Sequence, residues 1–226
     1  MNDEVTIVPA ERRDLPVIAA LAPGIWQHAY GAILSQEQIA YMLKLMYAPE
    51  VLLAAFDRGV KFRLIKSGEE TIGFFSFFEY QSDPPADATS KSNDEGFAMP
   101  CKYDETDDFE GRTPCGTPRK SGCFGLLQGA RRRVGTFVSR VPVLKLDKLY
   151  LLPAFHGRGI GSLALRSLTE CASDAGYGKI RLNVNKNNLR AIAAYTRNGF
   201  KKKESVKNDI GNGFFMDDYV MEKKLM

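Results

Sequence analysis

The chain has 226 residues, 44% hydrophobic and 26% charged, a composition typical of a soluble globular protein with one substantial domain. Its net charge of +4 mildly favours anionic ligands but is too small and scattered to indicate a nucleic-acid-binding protein. We expect no signal peptide, no membrane span and, with only four cysteines, no disulfide framework, so the expected compartment is the cytoplasm.

The N-terminal part of the chain predicts a short strand followed by two helices. The strand covers residues 5–8, the first helix opens at Asp14, a typical N-cap, and the second helix covers residues 35–46. Trp26 and Tyr30 lie between the two helices. They are expected either to pack at this junction or to form an aromatic wall of a substrate pocket.

A β-hairpin is predicted next, with strands over residues 62–66 and 71–80. The second strand is apolar on both faces apart from Ser76 and Glu79. This pattern predicts a central strand that is covered by helices on both sides. Glu79 stands near the strand end, where it is either a solvated carboxylate or a contact to the substrate.

Composition changes sharply at residues 83–140, which are rich in polar residues, proline and glycine. Residues 83–110 carry nine acids against two bases, and residues 111–148 carry nine bases against one acid. We expect a charged, partly disordered insertion between the third and fourth main strands of a single domain that spans residues 1–226. Its cysteines lack the paired spacing of a zinc site, so no metal is expected.

The most informative stretch is a strand, a glycine-rich turn and a helix within residues 141–174. Pro153 stops the strand, three glycines follow, and a helical pattern begins at once. Such a turn offers backbone N–H groups and a helix N-terminus to an anion. A dinucleotide fingerprint would need glycine where Ser162 stands, and the lysine of a Walker A loop is missing.

The C-terminal part predicts a strand over residues 179–184, a helix over 189–198 and two strands over 201–207 and 214–224. Together the elements predict an α/β fold with a mixed, mostly antiparallel central sheet that is flanked by helices. The parallel strand pair is expected where residues 143–152 meet residues 179–184, and this pair should splay apart.

Two blocks of sequence resemble motifs of the GCN5-related N-acetyltransferase (GNAT) superfamily. The first is Leu-Tyr-Leu-Leu-Pro at 149–153 with His-Gly-Arg-Gly-Ile-Gly at 156–161. The second is Asn188-x-x-Ala191-x-x-x-Tyr195-x-x-Asn198-Gly199-Phe200. The resemblance covers the chain apart from the insertion and implies the acyl-CoA N-acyltransferase fold. His156 departs from the family, which usually has Gln or Arg there.

The resemblance implies acetyl-CoA as co-substrate, with its diphosphate at the glycine turn and its pantetheine arm along the edge of the preceding strand. The residues implied in this binding are Leu149, Tyr150, Leu151, His156, Gly157, Arg158, Gly159, Ile160, Gly161, Ser162, Asn188 and Ala191. Tyr195 shares a helix face with Asn188 and Ala191 and would protonate the leaving thiolate as the catalytic acid. A backbone N–H of strand 149–151 would polarise the acetyl carbonyl.

The general base and the acceptor stay open. An alkyl amine with a pKa of about 10 must lose a proton before it attacks. Glu79, Asp147, Asp217 and Asp218 are all candidates for accepting that proton, directly or through water.

The predicted activity is N-acetylation of a primary amine by direct attack in a ternary complex. The N-terminal half is similar to a bacterial subgroup related to polyamine acetyltransferases, which favours a small amine. The alternatives are acetylation of a protein or peptide amine, and a non-catalytic acyl-CoA sensor. A homodimer is compatible with the sequence, and no nucleic acid or membrane partner is expected.

Overall fold

The computed structural model describes residues 4–80 and 141–225, which form one sheet with helices on both faces. The insertion predicted at residues 83–140, with its cysteines, lies outside the described residues. The strands are β1 (Val5–Pro9), β2 (Lys61–Ser67), β3 (Glu70–Tyr80), β4 (Val143–Leu151), β5 (Lys179–Asn185), β6 (Lys201–Gly211) and β7 (Phe214–Lys224). The helices are α1 (Leu15–Tyr30), α2 (Gln36–Tyr47), α3 (Pro49–Asp57), α4 (Ile160–Asp174) and α5 (Leu189–Arg197).

The sheet has seven strands in the order β1-β2-β3-β4-β5-β7-β6. Neighbouring strands are antiparallel except β4 and β5, which are parallel. The predicted α/β fold with a mixed, mostly antiparallel sheet is therefore confirmed, including its parallel pair. β3 is the predicted central strand, since residues 72–77 are all buried.

Two elements differ from the sequence-based expectation. Helix α3 was not predicted, because its nine residues are too short for a clear period and follow α2 after Ala48 alone. Pro49 holds Ala48 in an extended conformation with a ψ of 141°, which ends α2 and starts a new helix. β6 also continues to Gly211, beyond the predicted end at residue 207. The register of β6 against β7 shifts between Asp209 and Gly211, which allows residues typical of turns to remain in the strand.

The two faces of the sheet have separate cores. On one face, α4 packs on β4 and β5 through residues such as Leu165, Leu146 and Leu182. On the other face, helices α1 to α3 cover Phe74 of β3 with buried aromatic side chains, among them Tyr47 of α2. Each fully buried side chain of this size stabilises the fold by about 1.5–3 kcal/mol relative to the exposed state.

A β-bulge interrupts β4 at Asp147. Ser76 of β3 lies opposite Lys148 and Phe77 lies opposite Leu146, which leaves Asp147 with no residue opposite it in β3. A bulge bends its strand and increases the local twist. The direction of β4 therefore changes in the middle of the sheet.

β4 and β5 part at the same place. They pair only over residues 143–146 and 179–182, whereas β5 stays paired with β7 through Asn185. Residues 148–151 of β4 remain paired with β3 but have no partner on the β5 side. The result is a gap in the sheet between the C-terminal halves of β4 and β5, which we call the β4–β5 gap. It corresponds to the predicted splay.

The β6–β7 hairpin is fastened to helix α2. The hydroxyl of Tyr41 donates a 2.6 Å hydrogen bond to the carbonyl oxygen of Ile210, and the amide of Gln38 donates a 2.9 Å hydrogen bond to that of Phe215. The ring of Tyr41 also lies 5.6 Å from the ring of Phe214. The tip of the hairpin is thus held against the α1–α3 side of the sheet.

Residues 4–80 and 141–225 contain no single helix that is long and apolar enough to span a membrane. The bent pair of α2 and α3, with an angle of 42° between them, meets that test by length and composition alone. Nor do these residues bring three or more His, Cys, Asp or Glu side chains together in a group that would hold a metal ion.

Gly73→Ala is expected to destabilise the fold by roughly 1–3 kcal/mol, measured by thermal unfolding. A Cβ at this position of β3 would lie 2.4 Å from the carbonyl oxygen of Tyr150 and 2.7 Å from the Leu151 side chain. The control is Gly24→Ala within α1, whose Cβ would meet nothing within 4 Å. That change should be neutral or stabilise the protein by about 0.5–1 kcal/mol. Equal melting temperatures for the two variants would contradict the close approach of β3 and β4.

Candidate active site

The glycine turn forms the N-terminus of α4. Gly157 and Gly159 both have a φ of +78°, a conformation that favours glycine over other residues. Gly159 is the N-cap of α4, and no side chain caps the first amides of this 15-residue helix. These amides remain available to a ligand at the positive end of the helix dipole. The turn therefore has the backbone geometry of an anion-binding site.

Backbone groups of Leu149 and Leu151 face the β4–β5 gap. The amide of Leu152 donates a 2.8 Å hydrogen bond to the carbonyl oxygen of Ile72 in β3. Because backbone groups alternate in direction along a strand, Tyr150 also presents its backbone to β3, and Leu149 and Leu151 present theirs to the gap. An extended ligand could pair with this edge as an additional strand would.

His156 closes one end of this edge. Its Nε2 lies 2.9 Å from the carbonyl oxygen of Leu151, so Nε2 carries the proton and Nδ1 is left as an acceptor. Nδ1 is buried and has no hydrogen-bond partner among the described residues. Burial lowers the pKa of His156, and Arg190 and His28 lower it further, while the Leu151 carbonyl acts in the opposite direction. The imidazole is therefore neutral at pH 7.

The hydroxyl of Tyr30 interacts with residues from three different elements around the gap. It is the buried last residue of α1, and its ring lies 4.7 Å from that of Trp26. Burial raises the pKa of the Tyr30 hydroxyl, hydrogen bonding by Tyr150 and Asn188 lowers it, and the charge of Asp218 raises it. These partners come from β4, the start of α5 and β7. The Tyr30 hydroxyl therefore interacts with residues that belong to both faces of the sheet. This is geometrically feasible because no strand backbone fills the gap.

Trp26 lies behind this group and does not line an open surface. Its side chain is only 1% exposed, and its Nε1 donates a 3.2 Å hydrogen bond to the hydroxyl of Tyr47. Its ring lies 6.1 Å from the ring of Tyr150. Trp26 therefore supports Tyr30 and Tyr150 by packing, which is the simpler of the two roles expected from sequence.

Helix α5 brings Asn188, Ala191 and Tyr195 to the other side of the gap. The side-chain oxygen of Asn188 accepts a 3.1 Å hydrogen bond from the amide of Ala191, so Asn188 is the N-cap of the helix. Tyr195 packs edge-to-face on Phe200 at a ring distance of 5.7 Å. Burial raises the pKa of the Tyr195 hydroxyl, and nearby Tyr30 raises it further. The hydroxyl therefore keeps its proton at neutral and mildly alkaline pH.

Glu79 and Asp147 have different partners from each other. Glu79 interacts with Tyr177, just beyond α4, and so lies on the face of the sheet opposite to Tyr30. Asp147, at the bulge, forms an ion pair with Lys148 and accepts a 3.1 Å hydrogen bond from the hydroxyl of Ser76. The structure does not bring Glu79 together with the other predicted site residues.

Asp217 and Asp218 are adjacent in β7 but have different surroundings. Asp217 is half exposed and forms an ion pair with Lys186. Asp218 is 5% exposed, and its Oδ1 has no hydrogen-bond partner within the described part of the chain. Burial raises the pKa of Asp218 to about 6, with a further contribution from Asp217, while Lys145 and Lys186 act in the opposite direction. The sequence alone did not separate these two residues.

Sequence reasoning missed Tyr47 and Lys148, which enclose the site from the helical side. Tyr47 is 4% exposed, and the Nζ of Lys148, itself a buried residue, lies 5.8 Å from the centre of the Tyr47 ring. The spacing of Tyr47 from the buried Ile39 of α2 is compatible with one helix face and was a usable signal. The burial of Lys148 had no such signal, because it depends on the bulge.

The model of a family described as "Acetyltransferase (GNAT) family" matches residues 26–200 of this chain. An uncharacterized N-acetyltransferase of Mycobacterium tuberculosis is 35% identical over 83 residues, which are 37% of this chain and 53% of that protein. The match therefore spans about half the length of this curated relative.

Solved structures show the same fold. The PaiA N-acetyltransferase of Thermoplasma acidophilum, crystallised in complex with coenzyme A, has a TM-score of 0.62 at 19% identity, covering 98% of this chain and 99% of that one. A chimera of the Vibrio cholerae spermidine N-acetyltransferase SpeG has a TM-score of 0.54 at 14% identity, covering 98% and 95%. At such identities the likeness concerns the fold, and it confirms the fold that the sequence motifs imply.

Asp218→Asn is expected to raise the thermal stability of the protein at about pH 8 but much less at about pH 4. The carboxyl pKa is about 6 in the folded state against an ordinary value of 3.8, so stability is lost as pH rises between these values and stays lower above them. The neutral amide removes this penalty, on the order of 2 kcal/mol or several degrees in Tm. The control, Asp217→Asn, removes only a half-exposed ion pair and should change stability by less than about 1 kcal/mol. A gain for Asp218→Asn that is equal at both pH values would contradict the assignment.

Proposed function

The chain belongs to the acetyltransferase (GNAT) family, and we propose that it transfers an acetyl group from acetyl-CoA to a primary amine by direct attack in a ternary complex. The observation that carries the proposal is the β4–β5 gap. It provides an unpaired strand edge that leads to an anion-binding turn, and the nearby Tyr30 acts on the hydroxyl of Tyr195 from the neighbouring helix α5. A ligand with a diphosphate, an extended amide-containing arm and a thioester fits this order of groups.

The donor site is built from groups suited to coenzyme A. The amides around Gly157, Gly159 and the first turn of α4 would hold the diphosphate, and Arg158, whose guanidinium lies 5.1 Å from the Phe155 ring centre, would add a positive charge. The backbone of Leu149 and Leu151 would pair with the pantetheine arm. The similar protein from Thermoplasma acidophilum was crystallised with coenzyme A, which supports this choice of donor.

The remaining cofactor residues named from sequence have defined places around this donor. Ile160, Gly161 and Ser162 form the first turn of α4, and the hydroxyl of Ser162 accepts a 3.0 Å hydrogen bond from Asn198 beyond α5. His156 presents its unpaired Nδ1 as an acceptor for an amide N–H of the arm. A hydrogen bond from the arm to His156 would fix how far the pantetheine arm extends along β4. It would thereby position the thioester.

Tyr195 is proposed as the general acid. When the C–S bond breaks, the electron pair leaves with sulfur, and the tyrosine hydroxyl gives that sulfur its proton. The raised pKa of Tyr195 keeps the hydroxyl protonated until this step. A backbone N–H of Leu149 or Leu151, already directed into the gap, would stabilise the negative charge on the acetyl oxygen.

The proposed acceptor is a small amine, with a polyamine preferred. The similar chimera is a spermidine N-acetyltransferase, and the buried carboxylate of Asp218 suits a cationic amine. Acetylation of a protein or peptide amine is the second candidate, and a non-catalytic acyl-CoA sensor is the third. A homodimer and a cytoplasmic location stay predictions.

Gly159→Ala is expected to weaken coenzyme A binding by at least about tenfold, measured by isothermal titration calorimetry. A side chain disfavours the positive φ of the turn and so disturbs the amides at the start of α4. Gly176→Ala is the matched control, since Gly176, just past the other end of α4, has a φ of +80° and, like Gly159, open space for a Cβ. It should lose similar stability and keep its affinity. Loss of affinity in both variants would show that the effect comes from the helix and not from the turn.

Tyr195→Phe is expected to lower the kcat of acetyl transfer by roughly a hundredfold while leaving coenzyme A binding unchanged. The assay follows thiol release from acetyl-CoA with a panel of primary amines, including spermidine, between about pH 7 and 9.5. Tyr177→Phe, a partly buried tyrosine outside the gap, serves as the control and should retain full activity. Tight binding of acetyl-CoA without turnover for any amine would favour the sensor, and an unchanged kcat for Tyr195→Phe would remove its role as the acid.

A further inference from the structure

Asp218 lies one strand away from the β4–β5 gap, on the far side of β5. In β7 it lies opposite Asn185, the last residue of β5, and opposite Val206 of the edge strand β6. This stretch of β5 is the part that no longer pairs with β4. Asp218 is therefore at the level of the opening in the sheet, where acetyl transfer is proposed to occur, with β5 between them.

The side chain of Asp218 points to the face that carries α1 to α3. Its neighbour Tyr219 packs against the core beneath α4, and Lys186 lies 5.7 Å from the Tyr219 ring centre while forming an ion pair with Asp217. Asp217 and Tyr219 thus share one face, and because residues alternate along a strand, Asp218 faces the other. The effect of its charge on the Tyr30 hydroxyl is consistent with this direction.

Asp218 has an unmet hydrogen-bonding capacity. Asp147 accepts hydrogen bonds from Lys148 and Ser76, whereas Oδ1 of Asp218, on a residue 95% buried, has no donor within residues 4–80 and 141–225. A buried carboxylate oxygen without a donor destabilises the folded state. A ligand that supplies N–H donors and a positive charge would remove that cost.

We infer, on the basis of the proposed function, that the acceptor's ammonium group binds at Asp218 and that this carboxylate is the general base of the reaction. It is the member of the four candidate acids that is buried, lies one strand from the gap, acts by its charge on Tyr30 and has a buried oxygen without a donor. The acceptor class is accordingly an alkyl ammonium, which enters from the α1–α3 side while the donor occupies the gap.

The proton and electron balance of the step is as follows. The ammonium gives one proton to Asp218 and becomes a neutral amine, whose nitrogen lone pair forms the C–N bond with the thioester carbon. The C–S bond breaks with its electron pair on sulfur, and sulfur takes the proton of Tyr195. The second proton on nitrogen returns through water to the Tyr195 oxygen, and the proton on Asp218 passes to solvent. One proton is released for each acetyl group transferred.

A general base must be ionised at the working pH and must still bind a proton well enough to take it from the amine. The surroundings of Asp218 give it a pKa that meets both requirements. Burial and the charge of Asp217 raise the pKa of Asp218 to about 6, against the effect of Lys145 and Lys186, and Tyr30 is the titratable group facing it from α1. The carboxylate is therefore ionised above pH 7 and is a stronger base than an ordinary aspartate. A base with a pKa near the working pH is the effective one in proton transfer.

The test compares Asp218→Asn with Asp217→Asn, two isosteric changes at adjacent positions of one strand. With spermidine and a panel of primary alkyl amines as probes, Asp218→Asn should lower kcat/KM by roughly a hundredfold or more. It should also abolish the fall in kcat/KM that is expected of the wild type below about pH 6, because kcat/KM reports the pKa values of the free enzyme. Asp217→Asn should stay within about threefold of the wild type and keep that fall, shifted slightly to lower pH, because one neighbouring negative charge is removed.

The outcomes separate the two proposals. Calorimetry with coenzyme A tests whether both variants keep the donor site, and the wild-type profile of kcat/KM against pH reports the base even if a variant folds poorly. Transfer by the wild type with no decline of kcat/KM near about pH 6, or equal activity of the two variants, overturns the role of Asp218 and leaves the acetyltransferase standing. Acetyl-CoA binding with no transfer by the wild type to any amine overturns both.

Discussion

The structure depends on one irregularity in hydrogen bonding, the extra residue at Asp147 in β4. An unbroken ladder between β4 and β5 would leave no main-chain group for a ligand and no passage between the two faces of the sheet. The bulge ends that ladder after residue 146, and the unpaired edge that results is the surface on which a donor substrate would lie. The backbone groups that this leaves must pair with water, with a side chain such as His156, or with a ligand.

The gap also explains why residues from opposite faces form one site. Tyr30 belongs to the α1–α3 side and Tyr195 to the α4–α5 side, yet Tyr30 contributes to the raised pKa of the Tyr195 hydroxyl. Both are desolvated, which strengthens any charge interaction that they make. In the reaction that we propose, the acid and the base would act from opposite faces of the sheet, with the thioester between them.

The sequence predicted the donor side far better than the acceptor side. The turn around Gly159 is a local motif, since consecutive residues dictate its backbone conformation, and the fold and the parallel strand pair followed from the order of the elements. Asp217 and Asp218 could not be separated, because their burial depends on the register of β7 against β5. Glu79 was grouped with the acceptor residues although it faces Tyr177, since the face that a strand presents is set by its neighbours in space.

The attachment of the β6–β7 hairpin to α2 has an evolutionary consequence. Tyr41 and Gln38 bind the hairpin through the main-chain carbonyl oxygens of Ile210 and Phe215. These two hydrogen bonds therefore do not depend on the side chains at those positions. The exposed Phe215 can therefore be exchanged without loss of the hydrogen bond to Gln38, whereas a side chain at Gly211 would meet the Tyr41 hydroxyl. Sequence change in this hairpin is thus open on its exposed surface and restricted where it contacts α2.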